Sequence, residues 1–304
     1  MKINLLILFI FLFTSIQAEK PIVKWSNSFG GSFDDFSQSV TTDTSGNVYI
    51  AGYFLSSDIT FGSTSLKNSN SNNLHIFVAK YDSLGKVLWA KSSGDNDIGY
   101  TRSITIDKNG NILVCGIFNS SSITFGSITL TNYDGYGKWF LVKYDPNGNV
   151  IWAKSPIIST SSNGLTSLST DKAGNIYALG YFQDLSIIFG STTLYNNIAP
   201  YQDICLVKFD TSGNTLWANN LGGENHDVGN SLSVDLNGNI FVTGSFTSSI
   251  INLGKTVLVN KGPGNSDILI VKYDTNGNLL WGKSAGGVLS DNPNSIVTDL
   301  NGNV

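Results

Sequence analysis

The chain has 304 residues, with Lys+Arg 18 against Asp+Glu 22, a net charge of −4 and only 13% charged residues, about half the usual fraction. A negative balance with one arginine, Arg102, excludes a surface that tracks nucleic-acid phosphates, and two cysteines exclude a disulfide scaffold or a Cys-rich zinc module. With 41% hydrophobic and 12% aromatic residues the chain can bury a large core, which excludes disorder.

Residues 1–18 read as a secretory signal peptide. Lys2 supplies the positive start, Leu5 to Phe13 an apolar run, and Ser15-Ile16-Gln17-Ala18 a cleavage site after Ala18. The competing reading is a buried N-terminal helix. The run is shorter than the roughly 20 residues a spanning helix needs, so no transmembrane segment is expected in the mature chain. The mature protein is expected to be secreted or held at the cell surface.

From Ile22 onward the chain repeats itself every 64 residues. The pattern D-x-x-G-N begins at Asp43, Asp107, Asp171, Asp235 and Asp299, and a second D-x-x-G series at Asp82, Asp145, Asp210 and Asp274. Trp89, Trp152, Trp217 and Trp281 follow the second series at a fixed offset, and Trp25 extends their row backwards. Ser39, Ser103, Ser167, Ser231 and Ser295 keep the same register, as do Phe61-Gly62, Phe125-Gly126, Phe189-Gly190 and Leu253-Gly254.

Each unit holds four short runs with strand rather than helix spacing. In the first copy these are strand A at about Ser37–Thr42, B at Asn47–Phe54, C at Ile76–Asp82 and D at Lys86–Lys91. Asp starts a type I turn and Gly supplies the left-handed residue after it, so Asp43 with Gly46, Asp107 with Gly110, Asp171 with Gly174 and Asp235 with Gly238 are structural hairpin turns. Asp107 to Asn111 echoes a calcium loop but lacks its other acidic residues and distal Glu. In strand B, Val48, Ile50 and Phe54 alternate with Tyr49, Ala51 and Tyr53, so both faces are apolar, as in a sheet packed between sheets. Four antiparallel strands per unit with short connections predict an all-β fold, a β-propeller of four-stranded blades. Blades are expected at about 36–92, 100–155, 164–220 and 228–284, with a lone strand D at 22–28 and a partial blade at 292–304. Val304 aligns with Val48 in mid-strand, which leads to the expectation of a fragment from a larger ring. The strand-D Trp is expected to cover the contact between blades.

These units resemble the bacterial seven-bladed β-propeller repeat family, through Asp43 to Gly52 with Phe77 to Trp89, Asp107 to Gly116 with Phe140 to Trp152, and the two later copies. The resemblance covers 22–304 and implies a secreted or surface-displayed bacterial propeller, likened to S-layer proteins, with no catalytic residues or cofactor. Pro156 to Asn163 departs from the pattern, replacing the Gly-Gly link seen at Gly222-Gly223 and Gly286-Gly287.

The A–B and C–D turns are tight and uniform. The B–C and D–A connections, on the opposite face, are variable and form the expected binding face. Asp35, Asp227 and Asp291 precede strand A at one position, where Gly99 and Asn163 stand in the other copies. They could bind a cation or work as an acid/base pair in a channel, or simply cap the turn into strand A. Tyr133, Tyr136 and Trp139 cluster before and within one strand C, Trp139 replacing the Ile of Ile76, Ile204 and Ile268. They read as exposed aromatics for a glycan or protein partner, or as local packing. His75 and His226 read as solvated loop residues, the serine row as hydrogen-bonding groups of strand A, and Lys80, Lys143, Lys208 and Lys272 as solvent-reaching or edge side chains. Cys115 and Cys205 read as buried free thiols. The favoured function is a non-catalytic propeller that binds a protein or glycan on a cell surface. The alternative is a carbohydrate-active hydrolytic enzyme, or the non-catalytic portion of one.

Overall fold

The computed structural model describes residues 22–69, 73–94, 97–156, 159–196, 198–262, 264–299 and 301–304; the signal peptide and its cleavage site lie outside them. No helix in them is long and apolar enough to cross a membrane. The first unit runs β1 (Asp35–Thr42), β2 (Val48–Phe54), a rim hairpin of β3 (Asp58–Phe61) and β4 (Thr64–Lys67), β5 (His75–Tyr81) and β6 (Val87–Ser92). The second runs β7 (Gly99–Ile106), β8 (Ile112–Phe118), β9 (Ser122–Phe125), β10 (Ile128–Thr131), β11 (Lys138–Tyr144) and β12 (Val150–Lys154). The third runs β13 (Asn163–Thr170), β14 (Ile176–Phe182), β15 (Ser186–Phe189), β16 (Thr192–Tyr195), β17 (Asp203–Phe209) and β18 (Thr215–Leu221). The fourth runs β19 (Asp227–Val234), β20 (Ile240–Phe246), β21 (Ile250–Leu253), β22 (Thr256–Val259), β23 (Asp267–Tyr273) and β24 (Leu279–Ala285). Each unit folds as one four-stranded antiparallel sheet, in the first case ordered β1-β2-β5-β6, with its two-stranded hairpin separate. Four such blades in succession make a β-propeller.

The turns follow from local chemistry. At Asp107 the side chain accepts the Asn109 and Asn111 backbone N–H groups at 2.8 and 3.0 Å and the Asn111 side chain at 2.8 Å. The same Asp–Asn pairing holds the turns at Asp43, Asp171 and Asp235. The turn is therefore encoded within five residues, whatever the blade packs against.

The core lies between blades. Val48, Ile50 and Phe54 of β2 join a cluster inside the first blade, whereas Tyr49 and Ala51 join one shared with Val114, Phe140 and Phe125 of the second. Every residue of β8, β11 and β17 is buried. At the inner edge a bulge in β1, between Ser37 and Ser39, precedes a serine whose hydroxyl accepts the Ile104 N–H of the next blade at 3.2 Å. Ser103, Ser167 and Ser231 repeat that bond to Leu168, Leu232 and Ile296 at 3.1–3.2 Å.

At the outer edge the tryptophans and lysines act together. Trp89 Nε1 and Lys80 Nζ both donate to the Pro146 carbonyl in the next blade's C–D turn, at 3.1 and 3.3 Å. Trp152 and Lys143 do the same to Thr211, and Trp217 and Lys208 to Thr275. Gly148 of that turn has φ 80°, which favours glycine, and a Cβ there would lie 3.0 Å from the Trp89 ring and press on it. The expectation that these lysines reach solvent is corrected: Lys143 and Lys208 are buried, because a main-chain carbonyl one blade away receives each ammonium. Lys143 also pairs with the buried Asp107 carboxylate at 2.8 Å.

Residues 22–28 carry no strand ladder. Trp25 nonetheless lies against Gly85 as Trp89 does against Gly148, and the Asn27 side chain donates to the Gly85 carbonyl at 2.6 Å, as Asn219 does to Gly277. Residues 292–299 likewise form no ladder but take the serine bonds of a strand A, with Thr298 N–H donating to Ser233 Oγ at 3.1 Å.

Candidate binding face

The A–B and C–D turns of each blade meet at one end of the sheet; Gly46, for instance, abuts Ser83. The opposite end is formed by the D–A links and the segments around the rim hairpins, and this is where the residues singled out in the sequence lie. Asp35 accepts the Gly31 N–H at 2.7 Å and the Ser56 hydroxyl at 2.9 Å. Asp227 accepts the Gly223 N–H at 2.8 Å and the Ser248 hydroxyl at 2.7 Å, and Asp291 accepts the Gly287 N–H at 2.9 Å. Each carboxylate closes the link entering its own strand A, and the first two also tie that link to the B–C segment. The structure does not bring the three together.

The second and third blades reach the same closure with other residues. Asp97 accepts the Thr124 N–H at 2.8 Å, and Asp184 accepts the Thr160 N–H at 2.7 Å. Asn163 donates to the Ser159 hydroxyl at 2.6 Å and accepts the Trp139 N–H at 3.0 Å.

The three aromatics separate. Tyr133 is 86% exposed and Tyr136 52%, whereas Trp139 is 4% exposed. Trp139 is thus corrected from a surface residue to a buried one, because Phe189 of the next blade stacks on it at 5.7 Å and 16°. The tyrosine loop is held from beneath by buried Lys138, which pairs with Asp134 at 2.9 Å and donates to the Ser159 carbonyl. His75 is also corrected from a solvated position: it is fully buried, with its ring edge-on to Phe54. His226 stays exposed, its Nδ1 accepting the Gln202 N–H at 3.2 Å and its ring 5.0 Å from Tyr201. The two histidines stand on different blades. Among the described residues no three His, Cys, Asp or Glu side chains are grouped to hold a metal ion.

Several positions escaped the sequence reading. Asn68, Asn132, Asn196 and Asn260 form another row spaced by 64, and each donates its side-chain N–H to a B–C carbonyl, such as Asn132 to Tyr136 at 2.8 Å. Their spacing alone could have found them. Burial pushes the carboxyls of Asp203 and Asp227 up to about 6, the Asp203 group further raised by the charge of Asp227. Cys115 and Cys205 are free and buried; burial pushes the Cys205 thiol up to about 12.

The family described as "Beta-propeller repeat" matches residues 24–53 and 213–251. An Acanthamoeba polyphaga mimivirus protein named "Uncharacterized WD repeat-containing protein L264" is 27% identical over 92% of this chain and 25% of its own length. The "Regulatory protein FlaEY" of Caulobacter vibrioides is 27% identical over 44% of this chain and 14% of its own. The chain therefore spans a quarter or less of these curated relatives. A solved structure of a Bacteroides caccae protein of unknown function is 12% identical, with a TM-score of 0.36 and 86% of each chain covered. The repeat matches support a β-propeller repeat family.

Proposed function

We propose that the chain is part of a secreted or surface-displayed propeller that binds a protein or glycan, without catalysis, through the face of its B–C and D–A connections. The observation that carries this reading is the tyrosine loop of the second blade. Tyr133 and Tyr136 are exposed on a segment fixed by Lys138 and Asn132, so two large aromatic surfaces are offered on a rigid base. Such aromatics contribute contact area at low entropic cost. Asp35, Asp227 and Asp291 are engaged in closing links, which favours a binding role for this row over acid/base work.

The test is a glycan array and cell-surface binding measured with the full chain and with Tyr133→Ala/Tyr136→Ala. Loss of about tenfold or more in affinity with an unchanged melting profile is expected. Binding untouched by the double substitution would overturn the assignment of this loop. Amino-terminal sequencing of the product exported from expressing cells is expected to begin at Glu19.

A further inference from the structure

The repeat is broken most at the junction of the second and third blades, where three departures meet. Trp139 stands where Ile76, Ile204 and Ile268 stand elsewhere, and Pro156 stands where Ser93 and Leu221 stand. The third departure follows from the second. Ser93 donates its backbone N–H to the Ile76 carbonyl at 3.1 Å, and the third blade continues its outer ladder to Ile204 paired with Leu221. Proline has no N–H to give. The second blade's outer ladder accordingly stops at Leu141 paired with Lys154.

The shortened strand borders a cleft of about 630 Å³ between β12 and the third blade. The same place between the first and second blades measures about 320 Å³. Trp139, Phe189, Phe209 and Leu130 form its apolar walls, and Lys154 and Thr215 are among its polar lining. Small-molecule sites span about 300–1,000 Å³ and combine apolar walls with a few polar groups. The Trp139 indole N–H is buried and donates to no described group. Lys154 makes no ion pair among the described residues, although its charge acts on Asp210.

We infer that this cleft is a binding site for a small aromatic carboxylate, its ring against the Trp139–Phe189 wall and its carboxylate taken by Lys154. The site lies at the rim and is independent of the tyrosine loop, so either assignment can fail without the other.

Isothermal titration of the full chain with naphthoate, naphthalene methanol and a hexose tests it. Saturable binding of naphthoate at one site per chain is expected, with the alcohol weaker and the hexose silent. Trp139→Ile restores the residue of the other blades and is expected to weaken naphthoate binding about tenfold or more. Phe189→Leu, matching Leu253, serves if the first variant melts early. Lys154→Met is expected to abolish the preference for carboxylate over alcohol. No saturable heat with naphthoate, equal affinity in the Trp139 and Phe189 variants, or a preference for the hexose would each overturn the proposal.

Discussion

Asp203 shows how a single side chain is set by its neighbours. Its carboxyl lies so close to Gly222 that a Cβ there would fall 2.1 Å from Cγ, and Oδ1 has no hydrogen-bond partner. Burial comes first in raising its pKa to about 6, with Asp227 across the blade junction adding repulsion. The folded protein therefore holds protons here that the unfolded chain releases above about pH 4. Stability contributed by this group is full below that pH, falls as pH rises toward 6 and is level above it. The turn aspartates act in the opposite sense. At Asp107, burial raises the pKa, but the Lys143 and Asn111 bonds together outweigh it and leave the carboxyl below its ordinary value. That contribution is lost as pH falls below about 4. The expected profile from urea titrations peaks near pH 4. Asp203→Asn is expected to make the limb between pH 4 and 6 shallower, Asp227 supplying what remains, and to raise stability at pH 7 by about 1–3 kcal/mol. An unchanged slope would show that Asp203 ionises freely in the fold.

At the scale of the strand, the turns and their register were legible because Asp, Gly and Asn act on their own backbone, and B and C were legible because both their faces are apolar. Burial that depends on another blade was not. Trp139 and Tyr133 look alike in sequence, and the difference between them is Phe189, which lies in the next unit. Lys143 and Lys208 were misread as solvent-reaching for the same reason, since the carbonyl that receives Lys143 belongs to Thr211. Strand D offers the direct measurement. Trp152 is half-buried, packs on the cluster shared by the second and third blades and donates to Thr211 at 3.4 Å. Trp152→Ala is expected to cost about 2–4 kcal/mol, below the range for a fully enclosed aromatic. Trp152→Phe, which removes the donor and keeps a ring, is expected to cost about 1–2 kcal/mol. Equal losses in the two variants would assign the whole effect to the hydrogen bond.

In the whole molecule, stability is expected to follow position along the row of blades, because each blade packs on its neighbours, as in other repeat proteins. Strands β8, β11 and β17 are buried throughout, whereas no residue of β1 or β24 is fully buried. Hydrogen exchange is expected to be slowest in the first three and fastest in the last two. Protection of β1 equal to that of β8 would mean that another surface covers it in solution.

The grip of one tryptophan and one lysine on a main-chain oxygen has a consequence for how such a gene can change. At the first junction neither partner contacts a side chain, and the glycine beneath the indole has none to offer, so this grip reads only the backbone of the turn that follows. Modules bearing that turn share one outer joint, so copies can be gained or lost in frame wherever the apolar faces between blades still match, while their exposed loops diverge one by one.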